Sequence, residues 1–489
     1  MVDVILNDEH DGGRDDDRPP TRRTASERIR SGYAALHRHG RPVVVLGLGL
    51  TLVAGSAAVA RIADERGKAR TLTATMSSID GALLAAPTDL AVLWTSAGNS
   101  TSTTFAATAG RLLAYSDGRR AIEAVNADTG ASVWSRTLPD GEAYVQCVAP
   151  APDLDSFPCM TSAAGATFVL VMLGVADGTE LTRLDLPDTT APILVATDDA
   201  DILLAHSEPD GSGTITRRSP VDGTTRWTAP VPAPASPPQA AGLASSVQSG
   251  LAIFQGQLTA TLDAVTGAPI QDLPPPTEAD WDFVMVQSLP DGAAALWRVA
   301  TRSQDEMGIV RDATGATRFP LTEPPLYQQA DDGSVPDLLL LSAGDSVHAV
   351  DAQTGEPRWT TAIAGYGVTT TVRYDDAITL LGLAGTTTNI EQHDLRTGDL
   401  RWSTPWTGVQ NAQVTLAGGS LLLTGASDEF AASENYQGRF DRLAVVDLDD
   451  GSLRELPWPD GLSTDAWLTV LDHRLYGITG DQQDLIRLG

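Results

Sequence analysis

The sequence predicts an all-β protein, a β-propeller for which eight blades are favoured and seven to nine are compatible, preceded by a single N-terminal transmembrane helix. Three observations carry this prediction. A turn built from Asp, two residues, Thr or Asp, and Gly, often followed by Trp, recurs every 40–53 residues from residue 126 onward. Short apolar or alternating runs separate these turns, with no long amphipathic helical pattern after residue 71. One uncharged stretch, residues 42–60, is just long enough to cross a bilayer.

The N-terminal elements are read from charge. Residues 1–41 hold eight arginines and eight acidic residues and show no apolar periodicity, so they are expected to be a largely disordered cytoplasmic segment. Within them, Ser26–His37 could form a short basic helix or act only as a retention flank. Pro42–Ala60 reads PVVVLGLGLTLVAGSAAVA. In lipid such a stretch must be helical to satisfy its backbone. Six arginines precede it within twenty residues and four basic residues follow within ten, which places the N-terminus inside by a modest margin. A cleaved signal using Ala58-Val59-Ala60, a twin-arginine signal at Arg22-Arg23 and a buried soluble helix are the alternatives; the long preceding region and long apolar core favour the anchor. Residues 61–87 are expected to be a stalk, and residues 88–489 the propeller.

The repeat defines that propeller. Asp351-Ala-Gln-Thr-Gly355-Glu-Pro-Arg-Trp359 and Asp394-Leu-Arg-Thr-Gly398-Asp-Leu-Arg-Trp402 are the best copies. Asn126 to Gly130 with Trp134, and Pro220 to Gly223 with Trp227, keep the turn and the Trp. Weaker copies end at Gly178, Gly267, Gly315 and Gly451. Successive turn glycines are 48, 45, 44, 48, 40, 43 and 53 residues apart, the range of a four-stranded propeller blade. The Asp or Asn side chain can bond forward to backbone N–H groups, and Gly supplies the positive φ that closes the hairpin. The Trp four residues later falls in the return strand, and its bulk is read as packing between neighbouring sheets, as is that of Trp94. Counted literally there are eight whole units plus one shared unit, in which Asp89–Trp94 supplies the strand missing after Asp484–Leu488. Eight blades are favoured on the reading that one irregular unit is overcounted.

These turns, "VDAQTGEPRW", "HDLRTGDLRW" and "VNADTGASVW", resemble the PQQ-like β-propeller repeat over roughly residues 88–489. That repeat occurs in quinoprotein dehydrogenases, in an outer-membrane assembly lipoprotein and in membrane-anchored actinobacterial proteins. The resemblance implies the fold strongly and a function weakly, since one fold hosts many functions. Quinoprotein alcohol dehydrogenases carry adjacent cysteines in a vicinal disulfide, a calcium site and a catalytic Asp. No Cys-Cys pair occurs here, so neither PQQ nor calcium is expected as a cofactor.

The chemical candidates are few. Formal net charge is −30, and residues 71–489 carry 21 basic and 53 acidic groups, so a nucleic-acid partner is excluded on electrostatic grounds. Cys147 and Cys159 are expected to form a disulfide if the block is exported, the alternative being two buried thiols. Histidines 206, 348, 393 and 473 stand on separate predicted elements, and 10, 37 and 39 lie in the N-terminal segment, so no metal triad is expected. Acidic clusters at Asp198-Asp199 with Asp201, at Asp331-Asp332, and at Asp447 with Asp449-Asp450 lack calcium-loop spacing and read as solvated hairpins. There is no nucleophile elbow and no phosphate loop. Two inserts stand out as binding loops, the proline-rich 229–239 and the polar 428–439.

The expected function is therefore a non-enzymatic interaction scaffold of the cell envelope. It is anchored in the membrane with its propeller outside and an envelope or membrane protein as partner. A quinone-dependent oxidoreductase and a transmembrane sensor are the alternatives.

Overall fold

The structure is a computed structural model. It describes residues 70–489 apart from 80, 97–101, 109, 117–120, 138–141, 150–153, 164–167, 187–192, 197–200, 209, 234–242, 249, 257–259, 271–281, 290, 301–305, 327, 429–439, 465 and 480–483. The second unit of the chain, Leu72–Gly489, is compact. The expected membrane span at 42–60 and the cytoplasmic segment lie outside the described residues. Among the described residues no helix is long and apolar enough to cross a membrane.

The described strands of the second unit form nine sheets. In chain order they cover 102–137, 142–186, 193–231, 243–263, 282–321, 338–362, 366–407, 409–456 and 467–488, and are called sheets 1 to 9. Sheets 1 to 6 and 8 are built from consecutive strands, three in sheets 4 and 6 and four in the others, and sheet 9 is composite, taking its outermost strand, Val92–Thr95, from the other end of the chain. The sequence favours eight blades; the described strands instead follow the literal count of eight whole units and one shared unit, because the unit read as overcounted forms a sheet of its own. Sheet 7 carries an extra strand, Gln328–Asp331, which runs parallel to its first strand, Tyr366–Tyr374.

Nine clusters of buried apolar side chains alternate with the sheets, and each joins one sheet to the next. The last joins sheet 9 to sheet 1, so the arrangement is a closed ring. This packing explains the two kinds of strand pattern. Strands covered on both faces read as unbroken apolar runs, such as Leu338–Leu341 in the first strand of sheet 6 and Leu421–Leu423 in the second strand of sheet 8, all buried. The last strands of sheets 1 and 6 lie at the rim. In Ser132–Thr137 and Pro357–Ala362 exposed residues alternate with half-buried ones, and the Trp is among those turned inward.

Another expectation needs correction. The stretch read as a stalk is, from Leu72 on, part of the packed ring. A helix occupies residues 70–77, Met76 and Ala82 are fully buried, and Ile79, Leu83 and Leu90 are nearly so. Met76, Ile79 and Ala82 join the core between sheets 7 and 8, and Leu83 and Leu90 that between sheets 8 and 9. The apolar positions are few and interrupted by Ser, Gly and Pro, so only their partners on the ring reveal them as core.

Candidate functional site

The repeated turn is the best-built local feature. All eight turn glycines (130, 178, 223, 267, 315, 355, 398 and 451) have positive φ, between 68° and 90°. The amide of Gly355 donates to the carbonyl of Asp351 at 2.8 Å, and that of Gly398 to Asp394 at 2.8 Å. The side-chain carboxylate of Asp351 accepts from the amides of Gln353 and Thr354, both at 2.9 Å. Asn126, Asp263 and Asp394 do the same in their own turns.

Each Trp of the pattern crosses to the following sheet. Trp94, Trp134, Trp227, Trp359 and Trp402 donate their indole N–H to the carbonyls of Ala127, Val175, Ala264, Leu395 and Leu448, at 2.8–3.3 Å. Their rings lie flat against the turn glycine there. A Cβ on Gly130, Gly178, Gly267 or Gly451 would come within 2.6 Å of that Trp, and one on Gly398 within 2.8 Å. Glycine is thus required twice, for its φ and for the ring that covers it. Three positions depart from the pattern: Leu184 covers Gly223, the Arg311 guanidinium lies against Gly315, and Phe319 covers Gly355. Phe319 stands four residues after Gly315, at the Trp spacing, so its role was readable in sequence; Leu184 does not keep that spacing.

The turn carboxylates are electrostatically committed. The Arg358 guanidinium, bonded to Asp351, holds its carboxyl down to about 2 with help from the Thr354 and Gln353 amides. Amide and hydroxyl donors of Thr224 and Ser219 bring Asp222 to about 2. Asp394 is lowered by its bond to Arg401. Asp177, Asp312 and Asp450 are lowered by bonds to Thr179, Thr314 and Ser452. These groups cap turns and stay ionised, which suits structure and not proton transfer.

Cys147 and Cys159 are disulfide-bonded across the first hairpin of sheet 2, where they are direct register partners. Cys159 is fully buried in the core between sheets 1 and 2. The bonded cysteines are twelve residues apart, unlike the adjacent pair of the quinoprotein dehydrogenases.

The four described histidines are not brought together; they sit in sheets 3, 6, 7 and 9. His206 contacts Glu208 at 3.1 Å, and His348 contacts Glu323 at 2.7 Å. His473 Nδ1 lies 2.9 Å from the Ala82 carbonyl. His393 is buried, with Nε2 3.4 Å from Glu391 and Nδ1 3.1 Å from the Gly398 carbonyl. That contact to His393 is the main reason the Glu391 carboxyl is lowered. The acidic clusters are absorbed locally. Asp201 pairs with Arg217 and Arg226, Asp331 pairs with the buried Arg373, and Asp332 accepts from the Asp375 and Ser334 amides. Asp198-Asp199 lies outside the described residues. Among the described residues no group of three or more His, Cys, Asp or Glu is arranged to hold a metal ion.

The topology sorts the connections onto two faces. In a four-stranded antiparallel meander, the first and third connections leave one end, and the second leaves the other along with the link to the next sheet. Except in sheet 6, where the turn follows the second of three strands, the repeat turns follow the third consecutive strand of their sheet and so lie on one face, the turn face. The insert after Val231 links sheets 3 and 4, and the insert between Ser427 and Arg442 joins the second and third strands of sheet 8. Both predicted binding loops therefore leave the opposite face, the loop face. The first three residues of the proline-rich stretch, Ala229–Val231, end a strand, while 234–239 and 429–439 lie outside the described residues. The base of the second loop is pinned by Asp441, which accepts from the Ser427 amide and hydroxyl at 2.7 and 2.6 Å. The entering chain lies on the turn face. The Leu83 amide bonds to Leu416, and Leu83 accepts from Gly418 in the first turn of sheet 8; His473 is in the corresponding turn of sheet 9.

Comparison with known proteins supports the PQQ-like repeat. The family model described as outer membrane protein assembly factor BamB matches residues 290–463. No curated protein matches the chain. Among solved structures, BamB from Moraxella catarrhalis is 16% identical, with 72% of this chain and 92% of that one covered at a TM-score of 0.32. A computationally designed protein, Ika8, is 12% identical, with 81% and 99% covered at 0.42. A quinohemoprotein alcohol dehydrogenase from Pseudomonas putida is 12% identical, with 82% and 76% covered at 0.37.

Proposed function

We propose that this protein is a membrane-anchored, extracytoplasmic, non-enzymatic propeller that binds another protein of the cell envelope through its loop face. One observation carries the reading: both long inserts leave the same face of the ring, opposite the face on which the chain enters and the repeat turns lie. In this reading the uncharged stretch 42–60 is the anchor, residues 1–41 remain in the cytoplasm, and neither PQQ nor calcium takes part. The family match to an outer-membrane assembly factor supports a scaffold role, as does the use of the turn carboxylates in capping.

The test is photo-crosslinking in intact cells. A photoreactive residue is placed in turn at Ser236 and Glu434, and at Asp128 as a turn-face control; membranes are then separated from the soluble fraction. The expected result is a membrane-bound protein that captures one envelope protein from the loop positions and none from Asp128. Equal capture from Asp128, a processed soluble product, or PQQ-dependent dye reduction by the purified protein would each overturn the reading.

A further inference from the structure

The ring closes at a weak place. Sheet 9 borrows Val92–Thr95, which meets Leu485–Leu488 through only three register pairs, Val92 with Leu488, Trp94 with Arg487 and Thr95 with Ile486, with the register broken between the first two. Ala91 and Gly489 exchange amide hydrogen bonds at 2.9 and 3.1 Å, and the Ser96 amide reaches Leu485 at 2.9 Å. The core across this seam has four buried residues, Leu112, Ala127, Tyr476 and Leu485, the fewest of the nine clusters among the described residues. The core between sheets 7 and 8 has seventeen, and that between sheets 8 and 9 has twelve.

Residues 72–90 run directly into the borrowed strand, and they are fixed to sheets 7, 8 and 9, on the far side of the seam from sheet 1. Met76, Ile79 and Ala82 are buried between sheets 7 and 8. The Leu83 amide donates to Leu416 at 2.8 Å, and the Gly418 amide donates back to Leu83 at 3.1 Å. Arg454 donates to the carbonyls of Pro87 and Thr88, both at 3.0 Å. His473 Nδ1 meets the Ala82 carbonyl at 2.9 Å. A Cβ on Gly418 would lie 2.6 Å from Ala85 Cα, so strap and hairpin are in backbone contact.

We propose that residues 72–90 are a clasp for the ring: the seam between sheets 9 and 1 opens only when the strand ladder and this strap both let go. The physical reason is connectivity. The borrowed strand continues into sheet 1 at its C-terminal end, so an opening seam carries it away from sheet 9. At its N-terminal end it is covalently joined to a segment held by the best-filled cores of the ring. The strap therefore keeps the strand at high effective concentration beside its partner, and opening must expose Met76, Ile79 and Ala82 as well as break the ladder.

The test is hydrogen exchange on the full chain. Met76→Asp puts a charge into the strap's contact and is expected to speed exchange at Ala91, Ser96 and Gly489 by about tenfold or more, with the amides of Ile202–Ser207 in sheet 3 unchanged. A disulfide between Val92→Cys and Leu488→Cys, which are register partners, should return exchange at those seam amides to the wild-type rate. If Met76→Asp does not fold, Arg454→Ala with His473→Gly loosens the strap from its surface side and keeps the left-handed residue of that turn (φ 57°). The same seam-specific increase is expected there, smaller in size. Unchanged seam exchange, an increase shared equally by sheet 3, or failure of the seam disulfide to restore protection would overturn the clasp.

Discussion

At the scale of residues, the turn glycines and the Trp rings that cover them are one device split between two sheets. Gly451 illustrates it: φ is 72°, and an added Cβ would stand 2.6 Å from two ring carbons of Trp402. Gly451→Ala is expected to cost about 2 kcal/mol or more, from backbone strain and overpacking together. In a Trp402→Ala background the same change should cost less, because the collision is gone and only the strain remains. Urea unfolding of the two single variants and the double variant measures this; equal costs in both backgrounds would mean the ring does not bear on the glycine. The turn carboxylates predict an acid limit. Asp351 titrates near 2 in the folded protein, against the usual aspartate value of 3.8. A depressed folded value means stability that is fully present above the unfolded value and lost as pH falls through the folded one. Stability should therefore drop between about pH 4 and pH 2, and Asp351→Asn should flatten part of that drop while lowering stability at neutral pH. Acid titration followed by Trp fluorescence tests it, and an unchanged slope in the variant would contradict it. The glycines and most of the Trp set were legible in sequence because a tight turn tolerates few residue types. Leu184 was not, because an aliphatic side chain at the rim carries no signature of the turn it covers.

At the scale of elements, burial on both faces or on one writes itself into the strands, so inner strands such as Leu421–Leu423 are apolar runs and rim strands such as Ser132–Thr137 alternate. The disulfide belongs to this scale. Cys147 and Cys159 face each other on strands already joined by backbone bonds. Opening the pair should therefore loosen one hairpin and leave the ring intact. Cys147→Ser with Cys159→Ser is expected to cost at most about 3 kcal/mol, the loop-closure value for so short a separation. Differential scanning calorimetry under non-reducing conditions checks it. A loss much above that figure would show that the buried Cys159 side matters more than the cross-link. The helix at 70–77 and the turns after it were misread as a stalk for a reason proper to this scale. A single short helix with three or four apolar residues is a weak amphipathic pattern, and its partners, such as Leu416 and Ala330, lie more than 240 residues away in sequence.

At the scale of the whole molecule, closure decides behaviour. A variant lacking residues 485–489 loses the partner of Val92–Thr95 and a member of the seam core. It should unfold at lower temperature and less cooperatively, because an open ring exposes two sheet faces that the closed ring covers. Calorimetry of the truncated chain tests this, and an unchanged transition would show that the strap and the remaining cores suffice. The sequence by itself determined the propeller class, the repeat period, the residues of the turn and the composite closing sheet. Those are local matters, set by backbone conformation and by the alternation of covered and uncovered side chains along one strand. Only the tertiary structure decided which Trp covers which glycine, that nine sheets close the ring, that both long inserts share a face, and that residues 72–90 strap it from the other. These depend on contacts between residues tens to hundreds of positions apart, which a linear pattern does not encode because each partner carries only half of the interaction.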